Sequence, residues 1–166
     1  MSKKIGSRTL KLASPVSIIA SASVAGKKEG EGPLKQCFDY ISQDSYFDQG
    51  TWEKAESQML KQCFSLCCDK AGIAPSQLDF TFSGDLLNQC VSSAFAMKDS
   101  GCPYFGLYGA CSTMVESLAL ASMCIDGGFG DLACALTGSH FCSAERQYRT
   151  PLEYGSQRTP TAQWTV

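Results

Sequence analysis

From residue 51 onward, short apolar runs alternate with longer stretches that contain no Gly or Pro, and this alternation limits the folds open to the chain. Thr51 is placed to cap a helix. Behind it Trp52, Ala55, Met59, Leu60, Cys63, Phe64, Cys67 and Ala71 recur at helical spacing, with Glu53, Lys54, Glu56, Lys61 and Lys70 between them. That is an amphipathic helix lying on a sheet, its Trp52 stripe being core packing, and Gly72 with Pro75 stops it. Asp79–Phe82 alternates as a strand does, and Ser83-Gly84-Asp85 turns the chain. Leu86–Lys98 reads as a helix with Leu86, Leu87, Cys90, Ala94 and Phe95 on its apolar face. Pro103–Tyr108 reads as a fully buried strand, Ser112–Ile125 as a helix and Leu132–Thr137 as another buried strand. Val16–Ala20 fits a first buried strand. Strands separated by helices call for an α/β fold, here a mostly parallel five-stranded sheet with helices on both faces.

In such sheets ligands bind beyond the carboxyl ends of the strands. Three of those ends carry chemistry: Asp85, Cys111 and the Ser139-His140 pair. Cys111 stands where a strand turns into a helix, so an anion held there meets backbone N–H groups at the positive end of a helix dipole. It reads equally as a small buried thiol in a tight turn. Asp85 reads equally as a helix cap, and His140 as a satisfied loop histidine. Residues 26–50 form a long loop with a short helix over Leu34–Ile41, and long loops in compact domains are often functional. The aromatics of Asp44-Ser-Tyr-Phe-Asp48 pin it. The tail differs: a helical turn over 143–149, a polar loop, then a strand over 161–166.

Composition excludes several classes. The chain has 166 residues, 44% hydrophobic and 18% charged, enough for one folded domain with a core. A net charge of −2 with only a sparse basic group at Lys3, Lys4, Arg8 and Lys11 offers no nucleic-acid face. No run approaches the roughly 20 apolar residues of a membrane span. The apolar core of Val16–Ala20 is too short for a signal peptide. Ten cysteines raise a disulfide framework or a metal or redox protein. Most of them sit inside apolar periodic segments, as Cys63, Cys67, Cys90 and Cys124 do. Zinc would need a second matched pair where the chain has one His, so the thiols read as structural and reduced, in a cytoplasm-like compartment.

The segment Phe105-Gly-Leu-Tyr-Gly-Ala-Cys-Ser-Thr113 resembles the thiolase and ketoacyl-synthase superfamily. Together with Gly84-Asp-Leu-Leu-Asn-Gln89, Ile125-Asp-Gly-Gly-Phe129, Ser143-Ala-Glu-Arg-Gln147, Glu153-Tyr-Gly155 and Thr159-Pro-Thr-Ala162, it is similar to the stage V sporulation AD family. The resemblance runs in order from about residue 30. It implies a thiolase-like fold, with residues 1–166 as an N-terminal domain whose C-terminal half is missing. It implies binding of dipicolinic acid, with or without its calcium, and partnership with the other stage V sporulation A channel proteins. The implied place is the spore inner membrane, reached peripherally through those partners, and the implied role is dipicolinate uptake in sporulation and release in germination. It puts Cys111 on the superfamily's cysteine position and Asp85 near the same pocket. The superfamily's catalytic partners come from the C-terminal half, so the resemblance implies no enzyme and no cofactor.

Two readings follow. In a binding module, Cys111, Asp85, His140 and Arg146 surround a flat dicarboxylate, with Arg158 a further cation and Asp85 meeting a chelated calcium. In an acyl-transferring enzyme, Cys111 attacks a thioester. A half-domain would also expose an apolar face and self-associate.

Overall fold

The computed structural model describes residues 3–143. Arg146, Arg158, the expected strand 161–166 and all but the first residue of the expected turn 143–149 lie outside the described residues. The chain opens with β1 (Lys4–Ile5) and β2 (Thr9–Leu10), an antiparallel pair. Next come β3 (Val24–Ala25), the single turn α1 (Lys27–Gly30) and β4 (Tyr40–Ile41), with β3 and β4 pairing in parallel. The long helix α2 (Trp52–Ala71) leads to β5 (Phe80–Gly84), α3 (Val91–Met97), β6 (Tyr104–Leu107), α4 (Thr113–Asp126) and β7 (Ala133–Thr137).

The α/β alternation holds, but the five-stranded sheet does not. The main sheet has three parallel strands in the order β6-β5-β7, beside two separate two-stranded pairs. Val16–Ala20 forms no strand, and Ile18 and Ile19 are exposed. The segment and β7 both line one cavity of about 180 Å³, and no ladder joins them. Its approach is set by Asp126 at the end of α4, which accepts from the backbone N–H of Ala13 (2.8 Å) and Ser14 (3.0 Å) and pairs with Lys3.

Helices cover both faces of the sheet. On β5, Gly84 faces Thr113 of α4, while Thr81 points the other way to Cys102, at 3.2 Å. The core on that second side joins Leu60, Phe64 and Cys68 of α2, Ala96 and Met97 of α3, Leu78, and Leu136 of β7. Helix α2 follows its sequence signals: Thr51 Oγ1 accepts from Lys54 N–H (3.3 Å), and Gly72 closes it at φ +68°.

Two elements differ from expectation in burial. Strand β6 is an edge strand, so Phe105 stays half exposed instead of being buried. Helix α4 buries only the small residues Thr113, Ser117 and Ala121 at four-residue spacing, leaving Met114, Val115 and Leu118 outside. Small side chains let the helix lie close to a sheet face already filled by Phe82.

Candidate functional site

Because β5, β6 and β7 run parallel, their carboxyl ends share one edge. Gly84 pairs in register with Leu107 and Thr137, and Gly138 N–H donates to Gly84 O at 3.3 Å. The segments that carry Asp85, Cys111 and His140 therefore leave the sheet from neighbouring positions. What each side chain does there differs.

Cys111 is exposed, in a 3₁₀ turn (Ala110–Ser112) just ahead of α4. The elbow is set by Ala110 at φ +48°, a left-handed conformation that a residue with a Cβ adopts at some cost. Gly109 holds the turn: its N–H donates to Thr113 Oγ1 (3.2 Å), and its carbonyl accepts from Ser112 Oγ (2.7 Å). The thiol thus sits on the surface of a built turn, open to a ligand or an electrophile.

Asp85 is buried, with 1% of its surface exposed. Its carboxyl accepts from Leu87 N–H (2.8 Å), Ser93 N–H (2.7 Å) and Ser93 Oγ (2.6 Å). This turns the chain after β5 and caps α3 from outside it. The helix expected from Leu86 begins instead at Val91, after Cys90 at φ +54°. Asp85 shapes the turn after β5, and calcium would have to displace all three donors to reach it.

His140 is 9% exposed, with both ring nitrogens engaged. Nδ1 accepts from Cys142 N–H (3.1 Å), which leaves Nε2 as the protonated atom, donating to Ser45 O at 2.7 Å. Its ring lies 5.4 Å from that of Trp52, which stacks on Tyr46 at 3.7 Å. The His140 ring is a wall of a site, oriented by its own hydrogen bonds. The wall it meets is equally fixed: Asp44 accepts from Tyr46 N–H (3.0 Å) and Asp48 N–H (2.9 Å), which holds its pKa below the usual value. The aromatics of this loop do pin it, as Tyr46 and buried Phe47 show.

His140, Phe141, Phe47 and Met59 line a cavity of about 570 Å³ that opens at α1. Lys27, Lys28, Glu29 and Glu31 complete its rim. Neither lysine forms an ion pair among the described residues. The sequence reading placed residues 26–50 in a functional loop but did not single out these lysines, because their neighbourhood comes from a segment more than 100 residues away. Cys111 and Asp85 do not line this cavity. Arg146 lies outside the described residues. Among those residues no cluster of His, Cys, Asp or Glu could hold a metal ion.

Sequence reasoning also missed Glu56. It was set on the polar side of α2, yet it is fully buried between α2 and the turn after β7, in contact with Ser143 Oγ. The signal was present: Glu56, Leu60, Phe64 and Cys68 recur every four residues and form the buried line of the helix.

Comparison with known proteins fits this arrangement to a family. Residues 6–166 match the family described as Stage V sporulation protein AD. The chain is 37% identical over 164 residues to the Stage V sporulation protein AD of Bacillus subtilis (strain 168), covering 99% of this chain and 48% of that protein. It thus spans about half the length of the curated relative it matches. The parallel strand ends, the cysteine elbow and the matched sequence agree: the chain belongs to the stage V sporulation protein AD family.

Proposed function

We propose that the chain is a dipicolinate-binding component of the stage V sporulation A channel, built on a thiolase-like half-fold. In this role it takes up dipicolinic acid, with or without calcium, during sporulation and gives it up at germination. The observation that carries the reading is the 570 Å³ cavity with Lys27 and Lys28 on its rim and Phe47, His140 and Phe141 in its walls. Dipicolinate is a flat aromatic ring with two carboxylates. Two ammonium groups answer its charge, and aromatic walls answer its faces. Glu29 and Glu31 offer the oxygen ligands that a chelated calcium prefers.

Family membership supports the sporulation setting. Asp85 acts in this reading through the turn it holds after β5, not through contact with the ligand. No helix among the described residues is long and apolar enough to cross a membrane. In this reading the place at the spore inner membrane comes through the other channel proteins.

Calorimetric titration with dipicolinate, with and without calcium, tests this. Saturable binding is expected, weakened at least tenfold by the Lys27→Ala, Lys28→Ala double variant and unchanged by Cys111→Ala. Absence of saturable heat, or a double variant that binds like the parent, would remove the reading.

A second reading, acyl transfer through Cys111, is favoured by the exposure of that thiol behind the left-handed Ala110. Its mark would be a mass shift on Cys111 after incubation with an acyl thioester. An unmodified thiol would leave binding alone.

A further inference from the structure

The most unusual buried group in the molecule is Glu56. A glutamate with no exposed surface needs a partner for each oxygen. Ser143 Oγ reaches both Glu56 Oε2 and the carbonyl of His140, the latter at 3.0 Å. A serine hydroxyl has one proton to donate, and here it faces two acceptors. The carboxyl can supply the missing proton. With Glu56 protonated at Oε2, it donates to Ser143 Oγ, which donates on to His140 O, and the chain of bonds closes.

The surroundings favour the same state. Asp85 is the carboxylate facing Glu56, from the turn after β5. Helix α3, packed against α2, carries no charged residue from Val91 to Met97. Its Ser92 Oγ lies beside Glu56 without a close hydrogen bond, as does the second carboxyl oxygen, Oε1. Beyond Asp85, Tyr104 reaches the group through Ser93, at 2.9 Å. Strand β3 brings nothing titratable and β7 only Cys134. His140 approaches with its backbone, its ring being turned to Ser45. Among the described residues no cation faces the carboxyl. Burial raises its pKa to about 7 and Asp85 adds to the rise, while Ser143, the His140 backbone and Ser92 oppose it.

We infer that Glu56 is a positioning residue for the ligand cavity: its carboxyl proton locks the turn 140–143 against α2, and loss of that proton loosens the cavity wall formed by His140 and Phe141. The inference rests on the proposed dipicolinate reading for its consequence, tighter binding when Glu56 is protonated, but not for the lock itself. Glutamine keeps a carbonyl acceptor, puts an NH2 donor where the protonated carboxyl has its O–H, and cannot ionise.

The test has a ligand arm and a ligand-free arm on the whole chain. Dipicolinate affinity should fall about tenfold between pH 6 and pH 8, as the protonated fraction falls by that factor around a pKa near 7. Glu56→Gln should hold the high affinity at both pH values, and Glu56→Ala should be weak at both. Without ligand, amide hydrogen exchange over 139–143, corrected for intrinsic rates, should accelerate at pH 8 in the parent and not in Glu56→Gln. This arm on the parent alone needs no variant to fold. Exchange that follows pH while no dipicolinate binds would uphold the lock and remove the dipicolinate reading. Saturable binding with pH-independent exchange at 139–143 would overturn the lock.

Discussion

Each thiol's surroundings decide its chemistry, and the ten cysteines are not alike. Cys37 and Cys111 are exposed, Cys68 is buried and the others lie between. Burial pushes the Cys134 thiol up to about 12, with neighbouring thiols adding to it, and pushes Cys63 and Cys68 up to about 11. A thiol must ionise to react, so such groups are inert near neutrality. Brief treatment of the native chain with iodoacetamide at pH 7.5 should modify Cys37 and Cys111 first, with Cys134 and Cys63 modified only on unfolding. Peptide mapping would read the order, and early loss of Cys134 would contradict this packing. Asp85 and His140 show the same dependence on surroundings. Both read in sequence as binding group or structural group alike. Three close donors make Asp85 a cap, and two ring hydrogen bonds make His140 a wall.

Among the elements, α2 was legible almost to the residue, because its cap, apolar spacing and terminating glycine are all local signals. The segment after β5 was not. Residues 86–90 have helix-compatible composition, but the Asp85 carboxyl takes the N–H groups of Leu87 and Ser93 and delays the helix to Val91. The junction of β5 with its neighbours turns on Gly84. A Cβ added there would run into the backbone carbonyl of Leu107 and come within 2.8 Å of Thr113 Cγ2. Gly84→Ala must therefore push apart β5, β6 and α4. It should lower stability by roughly 1–3 kcal/mol, read as a lower urea midpoint. Gly50→Ala, where an added Cβ meets nothing within 4 Å, is the control. Equal midpoints for the two variants would show that the strand ends are less closely packed than described.

At the scale of the whole molecule, stability should carry the mark of Glu56. Its pKa rises from 4.5 in the unfolded chain to about 7 in the fold. The folded state thus binds more protons between these values, and stability falls as pH rises from about 4.5 through 7. The full difference is about 3 kcal/mol at 1.36 kcal/mol per pH unit. Asp39, Asp44, Asp79 and Asp126 act in the opposite sense. Hydrogen bonds lower their pKa values below 3.8, so their contribution is lost only at more acid pH. Thermal unfolding midpoints should therefore decline from pH 5 to pH 8 in the parent and stay level in Glu56→Gln. A parent whose midpoint rises across that interval would contradict the buried, protonated state.

The sequence by itself determined the order and kind of the main elements, the cysteine elbow and the family. All of these are written in neighbouring residues: spacing, caps, glycines and ordered motifs. Tertiary structure alone decided how many strands share one sheet, which strand lies at its edge, and which polar groups are enclosed. Val16–Ala20 has the composition of a strand, yet it joins no ladder, and the chain ahead of it is anchored at Asp126, more than 100 residues away. Glu56 reads as a surface residue, and only distant segments enclose it, among them Ser143, 87 positions away. Local free energy acts over a few residues and can be read along the chain, whereas burial and hydrogen-bond satisfaction depend on which distant segments meet.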